Sequence, residues 1–184
     1  MNILAARKYK SPRHGPLTPT ETETRRLAYA LKNPRSPARD FATAAAEMAA
    51  LIQTPCWLVP IPASNGCTRA NTILAAHIAR LRAGAQLAHA LRRTQPIESQ
   101  CARHRRNLPA TPPEKHHLRA TRPNLSPRQI YFVDNVATSG STLRAAFAAL
   151  NRGAGVGEDQ AGRPSPPHPR SEERRVGKEC SLPC

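Results

Sequence analysis

The sequence predicts an α/β fold, a mostly parallel twisted sheet flanked by helices. Two short apolar segments indicate buried strands: Trp57–Ile61, bounded by prolines, and Ile130–Val133. Each is followed by a turn rich in small and hydroxyl residues and then by a helical pattern, over residues 72–82 and 143–150. Short apolar strands that alternate with helices are typical of parallel sheets, because helices cover both faces of such a sheet.

Two further helices are predicted before the first strand. Thr18, with Glu21 three residues later, predicts the start of the first helix, and Asn33-Pro34 ends it. The second helix runs from Asp40 to Ile52 with apolar residues at helical spacing. We interpret both helices as packing elements. Residues 1–16 are basic, contain proline and show no periodicity, so we expect a disordered lead-in.

Composition limits the architecture and the partners. A chain of 184 residues is long enough for one domain with a core, and 19 prolines indicate sizeable irregular segments. The formal net charge is +16, and residues 92–128 hold nine Lys or Arg against two acids. A basic segment of this kind favours the binding of phosphorylated substrates or nucleic acid. Nucleic acid is the second choice, because this segment has no aromatic residue on which bases could stack.

No apolar stretch reaches the length of a membrane span, and the N-terminus lacks the apolar core of a signal peptide. We therefore expect a cytoplasmic protein without a membrane partner. The five cysteines include no Cys-x-x-Cys pair and predict no metal framework. His116-His117 has no partner at the spacing of metal ligands, so we predict no metal site there.

The most informative part of the chain is the second strand with its turn. Asp134 and Asn135 follow the strand directly, and a turn of hydroxyl residues and glycine leads into the helix. The turn consists of Thr138, Ser139, Gly140, Ser141 and Thr142. Backbone N–H groups at a helix start can hold a phosphate, and a carboxylate at the carboxyl edge of a parallel sheet can bind ribose hydroxyls. The alternative is an ordinary buried strand that runs into a Ser/Thr-capped helix.

Residues 130–142 resemble the motif by which type I phosphoribosyltransferases bind phosphoribosyl diphosphate (PRPP). The resemblance implies a type I phosphoribosyltransferase-like sheet, with Asp134 and Asn135 as catalytic residues and residues 138–142 around the 5-phosphate. It also implies Mg²⁺ as cofactor, held through substrate oxygens without direct protein ligands. The family usually has two adjacent acids where this chain has Asp134 and Asn135. The amide removes one negative charge, which predicts impaired catalysis.

The first strand and its loop resemble the pyrophosphate loop of the same enzymes, in particular of the ComF-like (amidophosphoribosyltransferase-like) branch. In that branch a Val-Pro-x-Pro strand leads to an Arg and an Asn ahead of a helix, as Val59–Pro62, Arg69 and Asn71 do here. The resemblance implies that pyrophosphate is bound by four residues of this loop: Ser64, Asn65, Gly66 and Arg69. The alternative is a plain loop capped by Thr68.

Residues 86–91 predict a second strand of the sheet, and residues 95–128 then show no clear periodicity. In ComF-like sequences a comparable arginine-rich stretch forms a flexible loop that closes over PRPP and excludes water. The resemblance assigns this loop role to Arg103, Arg105 and Arg106. The alternative is a solvated basic loop.

The composition changes at Gly153 to Gly, Pro, Ser and Arg without periodicity. Residues 170–180 resemble a translated sequencing adapter, so we interpret residues 153–184 as a disordered tail outside the fold. The predicted domain is then 17–152. On this interpretation the natural chain continues beyond Leu150 with at least one more strand, and the fold is truncated.

The functional prediction is a phosphoribosyltransferase that uses PRPP, releases pyrophosphate and acts on an unknown acceptor, with a homodimer left open. Two alternatives stay open. One is a catalytically impaired protein of this fold that acts in DNA uptake or regulation. The other is a basic nucleic-acid-binding module without a PRPP site.

Overall fold

The computed structural model describes residues 5–10, 15–121, 125, 128–137 and 139–155. In chain order, its elements are α1 (Pro19–Ala30), α2 (Ala38–Ala49), β1 (Cys56–Pro60), α3 (Arg69–Leu81), β2 (Ala85–Leu87), β3 (Leu91–Arg93), α4 (Gln100–Arg105), a 3-10 helix (Pro113–His116), β4 (Leu118–Ala120), β5 (Gln129–Val133) and α5 (Ser141–Gly155). None of the described helices combines the length and apolar character needed to cross a bilayer.

The central sheet has three strands in the order β2-β1-β5, and both pairings are parallel. β1 pairs with β5 along its whole length, from Cys56 opposite Gln129 to Pro60 opposite Val133. β3 and β4 form a separate antiparallel pair. The predicted α/β class with a parallel sheet and flanking helices is therefore confirmed. The finer type I phosphoribosyltransferase-like fold stays a prediction.

Side chains of β1 alternate between two apolar clusters. Cys56 and Leu58 belong to a cluster that includes residues of α1, α2 and α3. Val59 and the following Ile61 belong to a cluster that includes α5, β3 and β4. Successive strand residues point to opposite faces, so this alternation places helices on both sides of the sheet. The continuous apolar run of β1 follows from burial on both faces.

The two N-terminal helices form as predicted, although α2 is shorter than expected. The Thr18 hydroxyl accepts a bond from the Glu21 N–H at 3.2 Å, and the Glu21 carboxylate accepts one from the Thr18 N–H at 2.8 Å. This reciprocal pair is a capping box, which fixes the start of α1. α2 ends at Ala49 rather than Ile52. Arg7, in the predicted lead-in, donates to the Glu47 carboxylate of α2 at 2.8 Å.

The second strand of the sheet predicted over residues 86–91 is confirmed at its start, but the prediction is wrong beyond Leu87. β2 ends at Leu87 and belongs to the parallel sheet, whereas β3 begins at Leu91 and pairs with β4. Between them Ala88 and Ala90 are buried in the cluster beneath α5, where the chain leaves one sheet for the other. β3 depends on a partner far along the chain, and local periodicity carries no information about that pairing.

Residues 95–128 contain more regular structure than the sequence predicts, because α4, the 3-10 helix and β4 lie within them. Ser99 caps α4 by accepting a bond from the Ala102 N–H at 3.1 Å. A helix of six residues is too short to show a helical period in the sequence. Of the predicted tail, residues 153–155 continue α5 and residues 156–184 lie outside the described residues.

Candidate functional site

The helices that follow the two adjacent strands β1 and β5 lie on opposite faces of the sheet. α3 buries Leu74 and Ile78 against the face that carries Leu58, and α5 buries Ala146 against the face that carries Val59. The two connections therefore leave the carboxyl edge in opposite directions. In parallel α/β sheets such a switch point opens a crevice in which ligands bind.

A cleft of about 2420 Å³ lies at this edge. It is lined by residues of both connections and by α1 and α4. The predicted site residues that line it are Ser64, Asn65, Asp134, Asn135, Ser139, Gly140, Ser141, Thr142, Arg103 and Arg105. Gly66, Arg69 and Arg106 are not among its lining residues. Thr138, predicted to contact the 5-phosphate, lies outside the described residues.

Asn71 joins the two connections. Its amide nitrogen donates to the Ile61 carbonyl at 2.8 Å and to the Asp134 carboxylate at 3.2 Å. The side chain is only 6% exposed, and its buried amide oxygen has no hydrogen-bond partner among the described residues. The sequence named Asn71 only within the family pattern, because the contact with Asp134 spans 63 positions and leaves no local signal.

Asp134 presents one free carboxylate oxygen. Its Oδ1 accepts bonds from the Asn71 amide and from the Asn135 N–H, the latter at 2.9 Å. No hydrogen bond within the described residues engages Oδ2. Burial raises the pKa of Asp134, and the bonds from Asn71 and Asn135 oppose that rise. The carboxylate is thus held in place by Oδ1 and can accept bonds from a ligand with Oδ2.

Asn135 points its amide toward α1. Its Nδ2 donates to the carbonyl of Leu31, the residue that caps the end of α1, at 3.2 Å. This bond satisfies an orphan helix carbonyl and ties α1 to the turn after β5. In this arrangement Asp134 is the carboxylate of the turn, and the amide of Asn135 is occupied elsewhere.

The turn that opens α5 forms a cradle at the helix start. Gly140 has a φ of +69°, in the left-handed region that favours glycine. Ser139 is exposed and its hydroxyl accepts a bond from the Ser141 N–H at 3.3 Å. Ser141 is buried, and its own hydroxyl donates to the Thr111 carbonyl instead of facing the cleft. The hydroxyls that remain near the cleft are those of Ser139 and Thr142.

His116 entered the sequence analysis only as a possible metal ligand, and no metal site was predicted there. It is 1% exposed, and its Nε2 lies 2.9 Å from the Ser141 hydroxyl and 3.2 Å from the Thr111 carbonyl. A carbonyl only accepts, so we assign the proton to Nε2, and the buried Nδ1 has no partner in the part of the chain that the structure describes. Burial lowers the pKa of His116. A neutral imidazole therefore supports the first residue of α5.

The predicted arginines are distributed differently from the expectation. Arg69 is exposed at the start of α3, outside the cleft lining. Arg103 and Arg106 both pair with Glu98, at 3.5 Å and 2.7 Å. Arg105 lines the cleft and forms no ion pair with a carboxylate of the described residues. The loop arginines thus belong to α4 and its C-cap.

Arg93, which the sequence did not single out, lines the cleft. Its guanidinium donates to the carbonyls of Ala63 at 2.8 Å, Pro62 at 3.1 Å and His116. Burial lowers its pKa, and the charge of Asp134 opposes that effect. These bonds connect the loop after β1 with the 3-10 helix.

Within the described residues, no group of three or more His, Cys, Asp and Glu side chains could hold a metal ion. Comparisons of the chain with protein-family models, curated proteins and solved structures found no match. The resemblance to phosphoribosyltransferases therefore remains a prediction from the residues.

Proposed function

We propose that the protein binds PRPP and transfers its phosphoribosyl group to an acceptor with release of pyrophosphate. The observation that carries this proposal is the position of Asp134. Its carboxylate stands at the switch point between β1 and β5, beside the glycine turn that opens α5 and opposite the loop that follows β1. An acid for ribose and an anion cradle thus line one cleft.

Each part of PRPP has a counterpart in this cleft. The 5-phosphate is seated at the start of α5 by backbone N–H groups and by the hydroxyls of Ser139 and Thr142. The ribose hydroxyls donate to Oδ2 of Asp134. The diphosphate lies against the loop after β1, near Ser64 and Asn65.

In the transfer, the bond between the anomeric carbon and the diphosphate oxygen breaks, and an acceptor electron pair forms the new bond. The diphosphate leaves with the bonding electrons, so positive charge develops on the ribose ring. The Asp134 carboxylate stabilises that charge because it is fixed by Asn71 before the reaction. When bound to the substrate, Mg²⁺ neutralises diphosphate oxygens. α4 lies at the rim, where Arg105 adds positive charge.

A thermal-shift titration with PRPP and Mg²⁺ tests the proposal. We expect the ligand to raise the melting temperature of the wild-type protein, since a ligand at 100 times its Kd adds about 2.7 kcal/mol of stability. Asp134→Ala should abolish the shift, because the ribose loses its acceptor. Glu114→Gln is the matched control: it also removes one carboxylate, but from an exposed residue outside the cleft lining.

Two outcomes contradict the proposal: no shift in the wild type, or an equal shift in Asp134→Ala. Salt-sensitive DNA binding that is unchanged in Asp134→Ala would instead favour the basic nucleic-acid-binding module. We make binding the readout, because a single carboxylate in this turn predicts slow turnover.

A further inference from the structure

Arg93 carries a partly buried charge that forms no ion pair with a described carboxylate, although the charge of Asp134 acts on it from beyond ion-pair distance. Its three hydrogen bonds to described residues all go to backbone carbonyls, those of Ala63, Pro62 and His116. No carboxylate of the described residues lies within ion-pair distance of its guanidinium. A partly desolvated cation without a directly paired counter-ion is costly, and an anion in the adjoining cleft would offset that cost.

The Arg93 guanidinium also has N–H groups that the three carbonyls do not use. An arginine has five N–H donors, and the three carbonyls use one on each nitrogen. One N–H on each terminal nitrogen is left, and Arg93 lines the cleft. Guanidinium N–H groups lie on a rigid planar fork and pair with phosphate oxygens in charge-assisted hydrogen bonds. The carbonyls fix the fork in advance, so binding an anion orders little additional structure.

We propose that Arg93 binds the diphosphate group of the donor, the role that the family resemblance gave to Arg69. This inference rests on the proposed function. Arg93 donates to the carbonyls of Pro62 and Ala63, and so it contacts the start of the loop predicted to bind pyrophosphate. Arg69 is exposed and outside the cleft lining.

Two probes separate this role from a purely structural one. Inorganic pyrophosphate with Mg²⁺ reports the diphosphate position, and ribose 5-phosphate reports the cradle and Asp134 without any diphosphate. Arg93→Gln should weaken pyrophosphate binding by about tenfold to a hundredfold, as expected when charged hydrogen bonds are lost. Ribose 5-phosphate should bind Arg93→Gln and wild type within about threefold, because neither the cradle nor Asp134 bonds to Arg93.

Arg92→Gln is the matched control, because Arg92 is the exposed neighbour on β3 and lies outside the cleft lining. It removes the same charge and should leave both affinities unchanged. Arg93→Lys keeps the charge but loses the fork, so its pyrophosphate affinity should fall between those of wild type and Arg93→Gln. Affinities can be measured by isothermal titration calorimetry.

The inference is overturned if Arg93→Gln and Arg92→Gln bind pyrophosphate equally well, or if Arg93→Gln loses both probes together. Either result leaves the proposed function intact provided that the wild type binds ribose 5-phosphate. A wild type that binds pyrophosphate through Arg93 but not ribose 5-phosphate supports the anion site and contradicts the proposed function. A wild type that binds neither probe contradicts both.

Discussion

Replacing Asn71 with aspartate is expected to lower the free energy of unfolding by about 3–5 kcal/mol near neutral pH, the usual cost of an uncompensated buried charge. The substitution sets a second carboxylate beside that of Asp134, which the Asn71 amide now contacts at 3.2 Å. It also removes the donor that satisfies the Ile61 carbonyl. Repulsion and desolvation therefore act on the same buried position.

The loss should depend on pH in a defined direction. Burial already raises the pKa of Asp134, and a neighbouring carboxylate raises the pKa of both groups further. A carboxyl group whose folded pKa lies above its unfolded value holds its proton more tightly in the folded state. Stability is then highest below the unfolded value of about 3.9 and falls as pH rises through the folded pKa. The deficit relative to wild type should widen with increasing pH.

Urea unfolding at several pH values measures this deficit. Asn65→Asp is the matched control, because it is also a change from asparagine to aspartate, but at an exposed residue that lines the cleft. Its Oδ1 accepts a bond from the Cys67 N–H, and a carboxylate can accept the same bond. We expect this control to stay within about 0.5 kcal/mol of wild type. If the loss of unfolding free energy in Asn71→Asp is small, or is the same at every pH, then the Asn71 amide does not join the two connections through Asp134.

Replacing Leu74 with alanine should lower the free energy of unfolding by about 2–5 kcal/mol, the range for removing a large aliphatic side chain from a core. Leu74 is 0% exposed, on the face of α3 that packs on the sheet. It lies one helical turn after Asn71, so the same packing holds the bridging amide against Asp134. The substitution leaves a cavity that the surrounding α2 and β1 fill only in part.

Leu81→Ala removes the same atoms from the same helix, but Leu81 is 54% exposed. Its effect should stay within about 0.5 kcal/mol. Denaturant unfolding of both variants, with the dependence on denaturant concentration unchanged, provides the comparison. Equal destabilisation by the two substitutions would show that α3 does not pack on the sheet through the Leu74 face.

The sequence predicts the elements whose signal is local. β1 is recognisable because a strand buried on both faces is apolar without interruption. β5 is recognisable from its run of apolar, β-favouring residues, although only Val133 of this strand is buried. α1 is recognisable because Thr18 and Glu21 form a capping box within three residues. The position of Asp134 follows from the same logic, since the residue after a parallel strand lies at the carboxyl edge of the sheet.

Features that depend on distant contacts were beyond prediction. β3 forms because β4 pairs with it, and six-residue α4 is too short to show a period. In the sequence His116 is recognisable only as one of two adjacent histidines, and its contact with Ser141 exists only in the fold. Arg93 is one of nine basic residues in its segment until the loop after β1 places carbonyls around it. Pairings of this kind are properties of the tertiary fold, and local sequence does not encode their partners.

A crystal structure of the protein with PRPP and Mg²⁺ tests the central claim most directly. We predict density for the 5-phosphate at the start of α5, within hydrogen-bond distance of backbone N–H groups of residues 140–142, and for ribose hydroxyls on Oδ2 of Asp134. A ligand bound elsewhere on the surface, or an empty cleft at saturating PRPP, would contradict the account.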